Sequence, residues 1–159
     1  MKNTLSLLMF ALLLNCSAEK TYMQLESGDK AIKTAATKNS SSLFGGAVGA
    51  VDRSSGKMSF LKDQKTILKI FNSVLEKSDI TANLTELKLE QSNGVYYLKG
   101  YGADYRSTML LVKDDFGNLQ SAGTTCTTSA CATSTGCSAT TDGRCTECTG
   151  DCKKSTTSD

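Results

Sequence analysis

The sequence predicts an α+β fold in which one amphipathic helix packs on a four-stranded antiparallel meander, followed by an irregular tail held by disulfides. Three observations favour this fold: one segment with helical apolar spacing, two hairpin patterns after it, and six cysteines in a terminal stretch without large apolar side chains. Residues 45–125 contain 21 Leu, Ile, Val and Phe, whereas residues 126–159 contain none. Only the middle segment can therefore build a hydrophobic core.

The first residues have the pattern of a secretory signal. Lys2 precedes an apolar run from Leu5 to Leu14, which is too short to cross a bilayer as a helix. Residues 1–15 are therefore predicted to be a signal peptide. The run ends in LLLNC, which resembles the lipobox of bacterial lipoproteins, in which a Leu three residues before a Cys leads into cleavage and acylation of that Cys.

Leu13 and Cys16 match the lipobox, whereas Asn15 stands where the family prefers Gly, Ala or Ser. The resemblance implies that Cys16 carries the lipid and that the membrane is a partner reached through this anchor. The alternative is cleavage after Ala18, which discards Cys16 and releases a soluble secreted or periplasmic protein. Either route leaves six cysteines, an even number that can pair completely.

The segment between the signal and the core is polar. Residues 16–44 have too few apolar positions to form a buried face, so we predict lipid attachment followed by a flexible tether. Small apolar residues then precede the turn pattern DRSSGK, which predicts a weak hairpin at the start of a small domain over residues 45–125.

The stretch DQKTILKIFNSVLEKSD predicts the helix. Its apolar residues recur at three- and four-residue spacing and so share one face, which is typical of a helix that packs on a core. Asp63 can cap its N-terminus by accepting a hydrogen bond from a free backbone N–H. The residues of the predicted apolar face are Ile67, Ile70, Phe71, Val74 and Leu75.

Two hairpins are predicted after the helix. The first turns at Asn93-Gly94, a pair that suits the two left-handed positions of a type I′ turn. The second has strands over residues 105–113 and 119–125, joined by residues 114–118. Four tyrosines on these strands are predicted to form cross-strand packing pairs rather than a ligand-stacking surface, namely Tyr96, Tyr97, Tyr101 and Tyr105.

The composition argues against several functions. The chain has no His, which excludes Ser-His-Asp and Cys-His catalysis and His ligands to zinc. The formal net charge is +2 without a basic cluster, so no nucleic-acid partner is predicted. Glu86, Lys88 and Glu90 alternate along one strand face with the polar pattern of a solvated surface, and Asp115-Phe116-Gly117 is expected to be a turn.

The terminal cysteines have the spacing C-x4-C-x5-C-x7-C-x2-C-x3-C. One C-x2-C step is too few for a zinc ribbon or an iron–sulfur pattern, and no thioredoxin-like βαβ unit surrounds it, so neither metal nor cofactor is predicted. Export favours disulfides, although six cysteines permit 15 pairings and the spacing selects none of them. The predicted disulfide residues are Cys126, Cys131, Cys137, Cys145, Cys148 and Cys152.

These features predict a lipoprotein of the bacterial cell envelope that is not an enzyme and acts as a binding or structural module. The sequence does not specify its ligand. The alternative is an exported protein that handles metals or thiols through the cysteine-rich tail, residues 126–159. An enzyme is the least favoured reading, because the chain offers no pairing of a nucleophile with a base.

Overall fold

The computed structural model describes residues 43–134 and 136–157. One α-helix and seven β-strands follow each other in this part of the chain. Their bounds are β1 Gly49–Val51, β2 Met58–Phe60, α1 Gln64–Glu76, β3 Glu86–Ser92, β4 Val95–Tyr101, β5 Arg106–Lys113, β6 Asn118–Thr128 and β7 Cys152–Thr156.

The predicted fold class is wrong, because the molecule is mostly β. All seven strands form one antiparallel sheet in the order β2-β1-β6-β5-β4-β3, and β7 pairs with β6 beside this path. The sheet curves into a nearly closed, barrel-like shape instead of forming a four-stranded layer under a helix. The predicted irregular tail also contributes β7. Two features of the sheet were not predicted, namely the pairing of β1 with β6 and the strand β7. The sequence gives little sign of either, since β1 has only three residues and β7 has no large apolar side chain.

Strand β6 has two partners along one edge. Its first residues pair with β1, where Leu119 lies opposite Gly49. Its last five residues pair with β7, from Thr124 opposite Thr156 to Thr128 opposite Cys152. A β-bulge separates these two parts, because the register with β5 shifts between Met109 and Leu111. Gly123 adopts the φ of 80° that this irregularity needs.

The curvature brings the first and third strands close together. A Cβ atom on Gly49 would lie 2.6 Å from Cδ1 of Leu89 and 2.8 Å from the carbonyl oxygen of Ser59. Both distances are shorter than a carbon contact allows, so only glycine permits β1 to approach β2 and β3 in this way.

Helix α1 forms as predicted. The Asp63 carboxylate accepts a hydrogen bond of 2.9 Å from the backbone N–H of Thr66 and so caps the N-terminus. The buried face carries Ile67, Phe71 and Leu75 against the sheet. These residues belong to the main core, whose buried members are Phe44, Val48, Ile67, Phe71, Leu75, Ile80, Ala82, Leu84, Leu87, Leu98, Met109, Leu111 and Leu119.

The hairpin predicted at DRSSGK and both hairpins predicted after the helix are present. Asn93 and Gly94 have φ values of 51° and 77°, as a type I′ turn requires, and join β3 to β4. The second hairpin turns at Asp114, whose carboxylate accepts hydrogen bonds from the N–H groups of Phe116 and Asn118 at 2.9 and 2.8 Å. The turn thus satisfies its own backbone donors.

The close approach at Gly49 generates a prediction. Gly49→Ala should lower the free energy of unfolding by about 1–3 kcal/mol, because the new methyl group forces the first strand away from its neighbours. Denaturant unfolding followed by circular dichroism measures the change. Gly56→Asn is the control: nothing lies within 4 Å of that position, and Asn tolerates its φ of 69°. Equal losses in the two variants would contradict the close packing of β1.

Candidate functional site

The outer side of strands β3 and β4 carries charged and aromatic residues. Side chains alternate along a strand, and the register places Lys88 opposite Lys99 and Glu90 opposite Tyr97. Leu87 and Leu98, which alternate with these residues, belong to the buried core. We call the outward set the polar-aromatic face; it comprises Lys88, Glu90, Tyr97, Lys99 and Tyr101.

Direct contacts join four residues of the polar-aromatic face, namely Lys88, Glu90, Lys99 and Tyr101. The Lys99 ammonium lies 2.6 Å from one oxygen of the Glu90 carboxylate, and the Tyr101 hydroxyl donates to the other oxygen at 2.8 Å. The Lys88 ammonium lies 5.1 Å from the centre of the Tyr101 ring, within cation–π range. The groups therefore hold one another in position on a rigid strand pair.

This arrangement fixes the ionisation of Glu90 and Tyr101. Partial burial alone raises the pKa of Glu90, but the hydrogen bonds from Lys99 and Tyr101 outweigh burial and hold that pKa below its usual value. Burial, and then the hydrogen bond to the Glu90 carboxylate, raises the pKa of Tyr101 to about 12. Near neutral pH the face presents an ionised carboxylate and a neutral phenol, which suits recognition of polar ligands rather than proton transfer.

The tail covers the neighbouring part of the outer sheet surface. Leu110 is buried there against Cys126, Cys137 and Ala139, and Tyr97 packs at the margin of this cluster. Sulfur atoms and an alanine thus replace the large apolar side chains that the tail lacks. Tyr97 belongs both to this cluster and to the polar-aromatic face, so the tail forms one border of the candidate site.

Three disulfides hold the tail, and the structure selects one of the pairings that the sequence leaves open. The first cysteine pairs with the fourth, the second with the fifth and the third with the sixth. Each loop therefore overlaps the other two along the chain. The bonds are Cys126–Cys145, Cys131–Cys148 and Cys137–Cys152, with Cα–Cα distances of 5.8, 6.2 and 5.5 Å.

Two of the bonded cysteines belong to the sheet. Cys126 lies in β6 and Cys152 begins β7, so the disulfides connect the loops of the tail directly to paired strands. The backbone of β7 then continues the sheet to Thr156. Cross-links and strand pairing together order a segment that cannot fold by apolar burial.

Arg106 adds a third restraint that the sequence did not signal. Its side chain is buried, and its two terminal nitrogens donate hydrogen bonds to the carbonyl oxygens of Ser134 and Gly136 in the tail. Its Nε has no hydrogen-bond partner among the described residues. A single Arg at the start of a strand has no distinguishing pattern, so only the structure reveals that it holds the loop between Cys131 and Cys137.

The predicted tyrosine cluster is divided between different surroundings. Tyr96 and Tyr97 are consecutive in a strand and therefore lie on opposite faces. Tyr96 lies 5.6 Å from the Lys113 ammonium at a surface cavity of about 300 Å³, while Tyr105 packs against the main core. Only Tyr97 and Tyr101 belong to the candidate site.

The candidate lipid site cannot be placed, because Cys16 lies outside the described residues, as do the predicted signal peptide and nearly all of the predicted tether. Among residues 43–134 and 136–157, no three His, Cys, Asp or Glu side chains are grouped to hold a metal ion. The six sulfur atoms of the tail are paired in three disulfides. In the same part of the chain, no helix is long and apolar enough to cross a membrane.

Comparison with protein-family models, with curated proteins and with solved structures found no match to this chain.

The contacts of Arg106 generate a prediction. Arg106→Ala should lower the free energy of unfolding by about 2–4 kcal/mol, since it removes two hydrogen bonds from a charged donor and leaves two carbonyl groups in a partly buried place. Limited proteolysis of the unreduced protein should also cut faster between Cys131 and Cys137.

The control for this prediction is Arg144→Ala, because the Arg144 side chain is exposed and, among the described residues, pairs with the nearby carboxylate of Asp142. Its removal should change the free energy of unfolding by no more than about 0.5 kcal/mol. If the two variants lose equal stability and show the same proteolytic pattern, Arg106 does not restrain the tail.

Proposed function

We propose that this chain is a lipoprotein of the bacterial cell envelope that acts, without catalysis, as a binding or structural module. Residues 1–15 direct export, Cys16 receives the lipid, and residues 16–44 connect the anchor to the folded domain. The domain then stands outside the cytoplasm on a lipid tether. A signal with a lipobox-like end motivates the anchor, because Leu13 and Cys16 have the spacing that acylation requires.

The observation that carries the proposal is the set of three disulfides. Such bonds persist in oxidising compartments and are rare where glutathione and thioredoxin keep thiols reduced. They indicate an oxidising extracellular or envelope environment for this domain. A signal peptide and a disulfide-held domain therefore point to the same location by independent routes.

The chemistry of the outer surface supports binding more than catalysis. On the polar-aromatic face the carboxylate of Glu90 is already neutralised by Lys99 and held by Tyr101. A general base needs a pKa close to the working pH, and this carboxylate has its pKa moved away from neutrality. Fixed charges beside two partly exposed tyrosines are instead typical of a surface that recognises a polar ligand.

The state of the cysteines argues against the metal- or thiol-handling alternative. A thiolate is the form of cysteine that binds metal or attacks a disulfide. All six cysteines of the tail are joined in disulfides, so metal binding or thiol exchange would first require their reduction. The same bonds fix the tail on the sheet, which is a structural use that accounts for every sulfur in it.

The proposed anchor generates a prediction. In a bacterial host, the unaltered chain should incorporate labelled palmitate and remain in the membrane fraction, because several acyl chains on one residue anchor firmly at roughly 0.8 kcal/mol per buried CH₂. Cys16→Ala should abolish the label and release the exported domain from the membrane. Ser17→Ala is the matched control and should retain both label and location.

One further measurement makes this prediction decisive. Mass spectrometry of the mature N-terminus should find a modified Cys16 as the first residue. An unlabelled protein that begins at Glu19 would contradict the lipoprotein assignment and support release as a soluble exported protein.

A further inference from the structure

We propose that the face of the domain at which the chain enters docks on the anionic lipid surface that carries the anchor; this inference rests on the proposed acylation of Cys16. The entry face lies around the N-terminus of α1. We define it as Lys62, Lys65 and Leu68, which line one surface cavity with Asp63 and Glu86, together with the exposed neighbours Leu61 and Lys69. The partner it fits is a membrane with negatively charged headgroups.

The described chain enters the fold beside Lys62. The Lys62 ammonium donates hydrogen bonds to the carbonyl oxygens of Phe44 and Gly45, and the latter bond measures 2.7 Å. Lys62 also lines a surface cavity of about 510 Å³ together with Lys65 and Leu68. The segment that comes from Cys16 therefore joins the domain beside the first turn of α1.

Positive charge is concentrated in residues 57–77. Residues 57–77, which span β2 and α1, contain five Lys and two Asp or Glu, a formal charge of +3. Residues 78–157 contain seven Lys or Arg and nine Asp or Glu, a formal charge of −2. The nearly neutral composition of the whole chain thus conceals a separation of charge along the sequence, and the positive part includes Lys62, which contacts Phe44 and Gly45 where the chain enters the fold.

The lysines of residues 57–77 differ from several other lysines of the domain in their ion pairs. Within the described residues, no lysine from Lys57 to Lys77 forms an ion pair; on the rest of the domain Lys88, Lys99 and Lys153 each contact a carboxylate, whereas Lys113 and Lys154 do not. The nearest acid in the sequence, Asp63, has its carboxylate occupied by the N–H and hydroxyl of Thr66. The ammonium groups of Lys65 and Lys69, which are exposed, are consequently available to an external anion, whereas that of Lys62 already donates to two carbonyl groups.

Leu61, an exposed apolar residue, is adjacent to Lys62 in the sequence. Leu61 is 53% exposed, and within the described residues Phe116 is the other large hydrophobic side chain that is largely exposed. Leu68, one turn into the helix, is partly buried and lines the cavity next to Lys65. Leucine beside lysine is the pairing found where a helix rests at a lipid interface, since the apolar group enters the boundary while the ammonium meets phosphate.

The anchor makes even weak docking effective. Each lysine close to an anionic membrane strengthens association roughly fivefold. Only 26 residues separate Cys16 from Leu43 in the sequence, so acylation of Cys16 would hold the domain near the same lipid surface. Docking is then an intramolecular step with a high effective concentration, so the three lysines and two leucines of the entry face suffice.

The test uses the mature acylated protein in two kinds of vesicle, phosphatidylcholine alone and phosphatidylcholine with about 30% phosphatidylglycerol. Acetylation of lysines with a water-soluble ester is followed residue by residue by mass spectrometry. Lys65 and Lys69 should react at least several-fold more slowly in the anionic vesicles, and high salt should remove this protection because it screens surface charge. Lys153 and Lys154 in the same molecules serve as internal controls and should react equally in both.

Charge variants separate docking from nonspecific attraction. Lys65→Gln/Lys69→Gln should abolish the protection of Lys62 in anionic vesicles, whereas Lys153→Gln/Lys154→Gln removes the same charge and should leave it intact. Equal reactivity of Lys65 and Lys69 in both vesicles would overturn docking, as would protection of Lys153 and Lys154 to the same degree or protection that appears only after an acidic protein is added. A chain that does not associate with neutral vesicles would instead show that the anchor is absent.

Discussion

Strand β6 pairs with three other strands, and the rest of the fold depends on this sharing of its edges. One edge carries β5, while the other is divided between β1 and β7 at the bulge around Gly123. Because β1 occupies the first part, the sheet continues to β2 and curves back toward β3. Because β7 occupies the second part, the tail returns to the domain. A single long strand therefore organises both the core and the candidate site.

The tail is a second consequence of the same strand. Cys126 lies within β6, and the partner of Cys137 begins β7, so covalent and backbone restraints meet at adjacent positions, where Thr128 lies opposite Cys152. Side chains too small to form a core can then cover Leu110 and border the polar-aromatic face. An oxidising compartment maintains this arrangement, which links the location of the protein to the shape of its surface.

Local signals in the sequence predicted local structure. The cap at Asp63, the apolar helix face and the Asn93-Gly94 turn are each specified by a few neighbouring residues, and the structure contains all three. The fold class failed because its determinants are long-range. A three-residue strand around Ala50 and a polar strand around Lys154 acquire their roles only from β6, and neither has a periodic apolar pattern. The same holds for the disulfide pairing and for Arg106, which depend on spatial proximity.

The central claim is that three specific disulfides fix the tail on the sheet. Digestion of the unreduced, alkylated protein, followed by mass spectrometry of linked peptides, tests it most directly. The account predicts no alkylated cysteine in residues 126–152 and the links Cys126–Cys145, Cys131–Cys148 and Cys137–Cys152 alone. Free thiols, a different set of links, or zinc or iron bound in stoichiometric amount would contradict the claim and return the tail to metal or thiol chemistry.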